Sequence, residues 1–417
     1  MKFCKLLFAA ALAVLLSSCD RGEMGYSFSD SSPDGPGKVL VLYSPAASNL
    51  AYYIRGNLQA ITKGQLPGAS SRKTVLVFAH FDDGPSYLRR LSADEFGNPV
   101  SDTLYTVAAL RSASDPAVMT EVLGKVCELY PPENNSFTLI LSSHGTGWLP
   151  AGAIAPDDDD DSSNLLWAYS APRRKTFGIE TVNGVAHELT VQELADAIPM
   201  KLECLVFDAC LMGGVEVAYQ LRNKVHKLCC SPAEVPGYGY VYTDLGGDLL
   251  SDSAEPEDFG RAFFEHYDTA FRTGTPSSDA IYGVTSTTVD CTKMEPLADI
   301  CRTLFQEYRD TLSKLDHSIV QHYYRVHYDV NYYRAFFDLE DMLVKAGITE
   351  QEHESLKQAL DACITFKGAT PAFMKAYGGF TINNYSGLSM YLPKRGNPSL
   401  DAFYKTLDWN IATNLVE

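Results

Sequence analysis

The sequence predicts an α/β fold of three layers, α/β/α, with a mostly parallel central sheet and a helical C-terminal extension. Three observations carry this. Apolar runs of strand length recur at Lys38–Tyr43, Lys73–His80, Phe137–Ser142 and Leu205–Asp208. Segments with helical patterning alternate with them, as parallel strands joined by crossover helices require. Two of the runs end in a reactive residue beside glycines, which is how an α/β sheet presents side chains at its carboxyl edge.

The chain has 417 residues, 46% hydrophobic and 21% charged, enough for a large core. A net charge of −18 argues against nucleic acid as a partner and against binding anionic membranes by charge. Met1–Lys5 carries positive charge, and Leu6–Leu16 is apolar but too short to span a bilayer. Residues 1–18 therefore read as a signal peptide. Leu16-Ser17-Ser18-Cys19 resembles a bacterial lipobox, which implies cleavage before Cys19 and lipid on its thiol. Residues 19–37, rich in Ser, Gly, Pro and Asp, read as a flexible tether. The expectation is an exported protein, lipid-anchored to the cell envelope at the outer membrane or cell surface. No later segment is apolar enough to span a membrane.

Lys38–Tyr43 reads as the first buried strand and Asn49–Ile61 as a helix. Lys73–His80 is a second strand, stopped by Asp82-Asp83-Gly84-Pro85, with shorter strands at Ser86–Leu91 and Thr103–Val107. Asp115 caps a helix running to Tyr130, with Pro116 in its first turn. Phe137–Ser142 is the strand that leads into His144 and a glycine-rich turn. From Leu149 to Ala186 regularity stops, and this stretch reads as a long exposed loop holding the run Asp157–Asp161 and the triplet Arg173, Arg174, Lys175. The acidic run lacks the spaced ligands and turn glycine of a defined calcium site. Thr190 and Glu193 form a capping box for a helix to Ile198.

Leu205–Asp208 runs into Cys210 and leaves through Gly213-Gly214 into the helix Val215–Arg222. Lys227–Ser231 is a short strand, and Pro232–Tyr240 is a loop at the same sheet edge. Beyond it come a helix at Pro256–Phe271, a strand at Asp279–Ser286, helices at Lys293–Leu315, Tyr333–Ala346 and Gln351–Cys363, and a final strand at Gly387–Pro393. Residues 38–275 then form a core that includes the 149–186 loop. Residues 276–417 complete the sheet and add helices.

A thiol at the positive end of a following helix is biased toward thiolate. Cys210 sits in that position, and His144 lies 66 residues upstream at another strand end. Nucleophile plus base is the minimum for acyl transfer, and Gly145 allows a tight turn whose N–H points at a substrate carbonyl. Other chemistries find no support. His317, His322 and His327 are spaced by five, do not share a helical face, and read as surface histidines. His187-Glu188 lacks the second His of a zinc-peptidase helix, and neither a G-x-S-x-G elbow nor a phosphate-binding glycine loop occurs. Two of the ten cysteines fall in the leader and most of the others in apolar runs, so no disulfide is expected.

Ser143-His144-Gly145-Thr146-Gly147-Trp148, Phe207-Asp208-Ala209-Cys210-Leu211-Met212-Gly213 and Gly387-Leu388-Ser389-Met390-Tyr391-Leu392-Pro393 together resemble the clostripain family of cysteine peptidases, family C11. The resemblance runs in order from about Lys38 to the end of the chain. It implies the α/β fold shared by caspases, gingipains and legumains. It also implies His144 as the catalytic His, Cys210 as the nucleophile, and the backbone N–H groups of Gly145 and Cys210 as the oxyanion hole, with no third residue required. Asp208 matches the family's pocket acid, which favours Arg or Lys before the cut. Many relatives are zymogens cut between the His and Cys strands, where Arg173, Arg174 and Lys175 lie. One departure bears on selectivity. Gly237-Tyr238-Gly239 carries Tyr where the family has an acid, so Tyr238 and nearby Glu234 are the further pocket candidates.

The implied function is a cysteine endopeptidase working through a Cys–His dyad on a protein or peptide substrate. It acts as a monomer without a required cofactor or metal, and the sequence leaves stimulation by calcium open. The alternatives are a surface lipoprotein that keeps the fold and binds peptide without turnover, and a peptidase whose pocket has moved away from basic residues.

Overall fold

Successive Val, Leu and Ile residues favour strands buried on both faces, and five such strands form the parallel middle of a nine-stranded sheet. The computed structural model describes residues 35–150, 177–244, 249–274, 283–324, 335–375, 378–393 and 398–417. Cys19, the run Asp157–Asp161 and the triplet Arg173, Arg174, Lys175 lie outside these residues.

In chain order the elements are β1 (Gly37–Pro45), α1 (Ala51–Lys63), β2 (Lys73–His80), β3 (Ser86–Ala93), β4 (Pro99–Val107), α2 (Pro116–Leu129) and β5 (Asn135–Ser142). Then come β6 (Phe177–Val182), β7 (Val185–Leu189), α3 (Val191–Ala197), β8 (Leu202–Asp208), α4 (Val215–Leu221), β9 (Val225–Cys230), α5 (Pro256–Thr273) and β10 (Thr285–Asp290). The last are α6 (Met294–Leu312), α7 (Leu339–Ala346), α8 (Glu350–Cys363), β11 (Ile364–Ala369), α9 (Pro398–Tyr404) and α10 (Asp408–Thr413). The sheet order is β11-β10-β9-β8-β5-β1-β2-β3-β4. The strands from β9 to β2 run parallel, and antiparallel strands close both edges.

Side-chain alternation divides the core into two layers. Val39, Val41 and Tyr43 of β1 face one side with α2, α3, α4, α6 and α8. Leu40 and Leu42 face the other, with Ile61 of α1 and Phe259, Phe263 and Tyr267 of α5. Asp115 accepts from the Ala117 N–H, with Pro116 opening α2. The Thr190–Glu193 capping box opens α3 as its sequence requires.

Several expectations change. The 149–186 stretch is not loop to its end, because Phe177–Val182 and Val185–Leu189 pair as a hairpin around Asn183-Gly184. Of the strand expected at Asp279–Ser286, residues 279–282 lie outside the described residues, and the described strand runs Thr285–Asp290. The helix expected from Tyr333 starts at Leu339, where the Asp338 side chain caps it by accepting from the Asp341 N–H. Only Ser389 and Met390 of the expected final strand are paired, with Phe337 and Asp338 and apart from the main sheet. Strand β11, at the sheet edge, was not anticipated. His317 is buried against the Phe337 ring at 4.9 Å and is not a surface residue, while His322 stacks on Tyr324 at 4.2 Å and His327 lies outside the described residues.

The Gly387–Pro393 segment instead wedges under α4. The Ser389 N–H donates to the Gly213 carbonyl at 2.9 Å. Glu216, buried in the first turn of α4, accepts from the Tyr391 N–H at 2.8 Å and the Tyr404 hydroxyl at 2.9 Å. Trp148 packs on the rings of Tyr391 and Tyr404, with centroids 5.1 Å and 4.9 Å away. The three sequence motifs thus meet behind the Cys210 turn.

Burial pushes the Glu216 carboxyl up to about 7. A carboxyl raised in this way favours folding at low pH, and that contribution is lost as pH rises through about 7. Glu216→Ala should cost about 2–4 kcal/mol in denaturant unfolding, because two buried donors lose their acceptor. Glu216→Gln keeps an acceptor and should equal or exceed the parent at pH 8.

Candidate active site

The site follows from strand register. β5 and β8 are neighbouring parallel strands, and Ser142 pairs with Asp208, 66 positions later. His144 and Cys210 keep that same separation, each two residues beyond the pair. Both therefore leave the sheet at one edge, side by side.

The two exits touch. A Cβ on Gly145 would stand 2.7 Å from the Cys210 carbonyl oxygen and 3.1 Å from the Ala209 Cβ. Gly147, at φ +65°, lies against the Leu211 carbonyl and the Phe336 ring. These contacts explain both glycines of the His144 turn. Leu211 itself has φ +64°, a left-handed conformation that a branched side chain resists. Backbone bonds hold it there. The Leu211 N–H donates to the Ala233 carbonyl and the Gly213 N–H to the Ser231 carbonyl, both at 2.9 Å. The loop after β9 thus clamps the Cys210 turn.

That loop also reaches the sulfur. The Val235 N–H donates to Cys210 Sγ at 3.3 Å, and the thiol lies 3.8 Å from the Val235 carbonyl as a donor. Of the eight described cysteines, only Cys210 and Cys127 escape full burial. Burial pushes the thiols of Cys230, Cys291, Cys301 and Cys363 up, Cys363 to about 12. At Cys204 the hydrogen bond with Cys229 raises the thiol most, and burial adds to it.

His144 is buried, and its Nε2 lies 2.6 Å from Asn49 Oδ1. Its carbonyl accepts from the Gly178 N–H of β6 at 3.0 Å. Asp208 ends β8 with its carboxylate turned into the same cleft. Its Oδ2 accepts from the hydroxyls of Tyr242 at 2.6 Å and Ser142 at 3.0 Å. Burial raises its pKa to about 6, and these two donors oppose the rise. Gly239, at φ +68°, runs so close that a Cβ would sit 2.5 Å from the carboxylate.

His144, Asp208, Cys210 and Glu234 line one open cleft, walled by Leu50, Tyr53 and Ile54 of the α1 region and by Val235-Pro236-Gly237. Glu234 is buried there, 5% exposed. Tyr238 is not among the lining residues; it is 48% exposed and meets Tyr53 edge-on at 5.2 Å. Two contacts went unseen in the sequence. Asn49 sits in the turn after β1, and a polar residue at the carboxyl end of the strand beside β5 was its only signal. Tyr242 lies just past the loop ending at Tyr240. Among the described residues no group of three His, Cys, Asp or Glu side chains is placed to hold a metal ion.

Comparison with known proteins finds the same fold. A secreted C11 cysteine protease from Bacteroides thetaiotaomicron, solved with an irreversible peptide inhibitor, is 22% identical with a TM-score of 0.74 over 91% of this chain and 99% of its own. An inactive zymogen C11 protease from Parabacteroides distasonis is 24% identical with a TM-score of 0.73 over 92% of this chain and 99% of its own. Both share the fold. No curated protein sequence matches significantly. The clostripain family model matches residues 42–414. The chain therefore belongs to the clostripain family, C11, and is a cysteine endopeptidase.

Proposed function

We propose that Cys210 is the nucleophile and His144 its proton partner. The reading rests on one observation: the two residues leave adjacent parallel strands in equal register and line one cleft with a buried carboxylate. The Cys210 thiolate attacks the peptide carbonyl, and the N–H groups of Gly145 and Cys210 take up the charge on its oxygen. His144 then gives its proton to the leaving amine. Water releases the acyl group from sulfur.

The residue before the cut is Arg or Lys. Among the described residues, Asp208 pairs with no cation and accepts only from neutral hydroxyls. A buried carboxylate in that state calls for a positive partner. Glu234 adds a second acid to the cleft, while Tyr238 belongs to an aromatic rim with Tyr53. Activation occurs by cleavage within 149–186 at Arg173, Arg174 or Lys175, a reading the zymogen relative encourages. The leader and lipobox, with a secreted relative, support export and lipidation at Cys19.

The test uses a peptide bearing Lys or Arg before an irreversible acyloxymethyl ketone. Mass spectrometry should find it on Cys210 of the parent and not on His144→Ala. In the same untreated sample, a new terminus within 149–186 should appear in the parent and not in Cys210→Ala. Equal labelling by peptides with Leu in place of Lys would remove the basic preference. Labelling elsewhere than Cys210 would remove the nucleophile.

A further inference from the structure

His144 is held from two directions, and one strand governs both. The Gly178 N–H of β6 holds its carbonyl. Two residues on, Glu180 of the same strand accepts from the Ala47 N–H at 3.2 Å, in the turn that carries Asn49. Glu180 is fully buried and is itself fixed by His80 Nδ1 at 2.6 Å and the Ser112 hydroxyl at 2.7 Å. The turn is tied to the His144 strand as well, since the Ser143 hydroxyl donates to the Pro45 carbonyl at 2.7 Å. Asn49 Oδ1 thus meets His144 Nε2 at 2.6 Å from a supported backbone.

An amide oxygen only accepts hydrogen bonds. From this contact we infer that Asn49 is a positioning residue that fixes the His144 tautomer: Oδ1 holds the proton on Nε2 and leaves the lone pair on Nδ1 to exchange a proton with Cys210. The inference rests on the Cys210–His144 reading above. The balance is simple. In the resting neutral pair, Nε2 carries the ring proton and Sγ carries its own. Transfer from Sγ to Nδ1 gives thiolate and imidazolium, and the Nε2–H···Oδ1 bond then joins a cation to a neutral acceptor and strengthens. The other tautomer would face the Asn49 oxygen with a lone pair and offer Sγ a donor, so it cannot take up the thiol proton.

The experiment compares the parent with Asn49→Ala, Asn49→Asp and His144→Ala. Iodoacetamide alkylation of the Cys210 peptide is followed by mass spectrometry from pH 4 to 10, beside kcat and KM on a peptide substrate. Asp208 and Glu234, the charged groups that share the cleft with the pair, are unchanged in every variant. Asn49→Ala should lower kcat by about 10-fold or more, with about 10⁴-fold, the loss when a catalytic His is held in the wrong tautomer, as the upper bound, and KM within about threefold. Its alkylation profile should move toward that of His144→Ala. Asn49→Asp should recover most of kcat and carry the upper limb of the profile to higher pH, because a carboxylate stabilises imidazolium further. Parent-like profiles in both Asn49 variants would overturn the inference while leaving the pair intact. A parent-like profile in His144→Ala would instead overturn the pair itself.

Discussion

Gly145→Ala should lower kcat by roughly 100-fold or more, since displacement of reacting groups by about 1 Å costs that much. The added methyl meets the Cys210 carbonyl at 2.7 Å, the Met212 sulfur at 3.0 Å and the Ala209 Cβ at 3.1 Å. The Met212 sulfur can move aside, but the carbonyl belongs to the strand exit and cannot move alone. Relief requires the His144 and Cys210 turns to part. The folding cost is smaller, about 1–3 kcal/mol for overpacking of this kind. The variant should therefore be folded, reactive toward small thiol reagents and poor at peptide turnover. Thermal unfolding and steady-state kinetics on the same sample check this. Unchanged kcat would mean that the contact is not part of the reacting geometry.

Asp208→Asn should change selectivity most. Loss of a buried charge pair costs about 3–5 kcal/mol, so kcat/KM on an Arg peptide should fall by roughly two to three and a half orders of magnitude. A norleucine peptide should be little affected, because the amide still accepts from Tyr242 and Ser142. The parent carries the same signature in its pH profile. With the carboxyl raised to about 6 by burial, acidification below that value neutralises it and should depress kcat/KM for Arg substrates more than for norleucine. Stability moves the other way. A raised carboxyl favours folding below its unfolded pKa and opposes it above about 6, so the neutral amide should gain up to about 3 kcal/mol at pH 8. A variant weaker on Arg peptides yet harder to unfold would separate a binding carboxylate from a structural one. An Asp208→Asn variant that keeps the parent's kcat/KM on the Arg peptide would sink the pocket assignment.

The site was legible in the sequence where chemistry coincided with a strong structural signal. β5 and β8 are apolar on both faces, so their ends were marked, and His144, Gly145, Asp208 and Cys210 all sit at those ends. Asn49 and Tyr242 reach the same cleft from turns, where no periodicity points at a partner. The hairpin at 177–189 hid behind a polar stretch, because its strands alternate weakly and only Phe177, Gly178, Glu180, Val182 and Leu189 are buried. β11 was missed for a related reason. An edge strand with Thr365 and Lys367 facing solvent and a glycine inside lacks the apolar run of a central strand. The opposite error occurred at Gly387–Pro393. Its apolar residues are buried, but in coil beneath α4, and an apolar run cannot distinguish the two.

That wedge has a consequence for folding order. Ser389 grips Gly213 across 176 positions, and Tyr404 grips Glu216 across 188. Such contacts have high loop-closure entropy and form late. A chain emerging N-terminus first acquires the strands that bear His144 and Cys210 long before the segment that braces the turn between Cys210 and α4. Until residues 387–404 arrive, the strained Leu211 backbone has no support from beneath. Residues 387–404 are thus the last part of the Cys210 turn's support to be made.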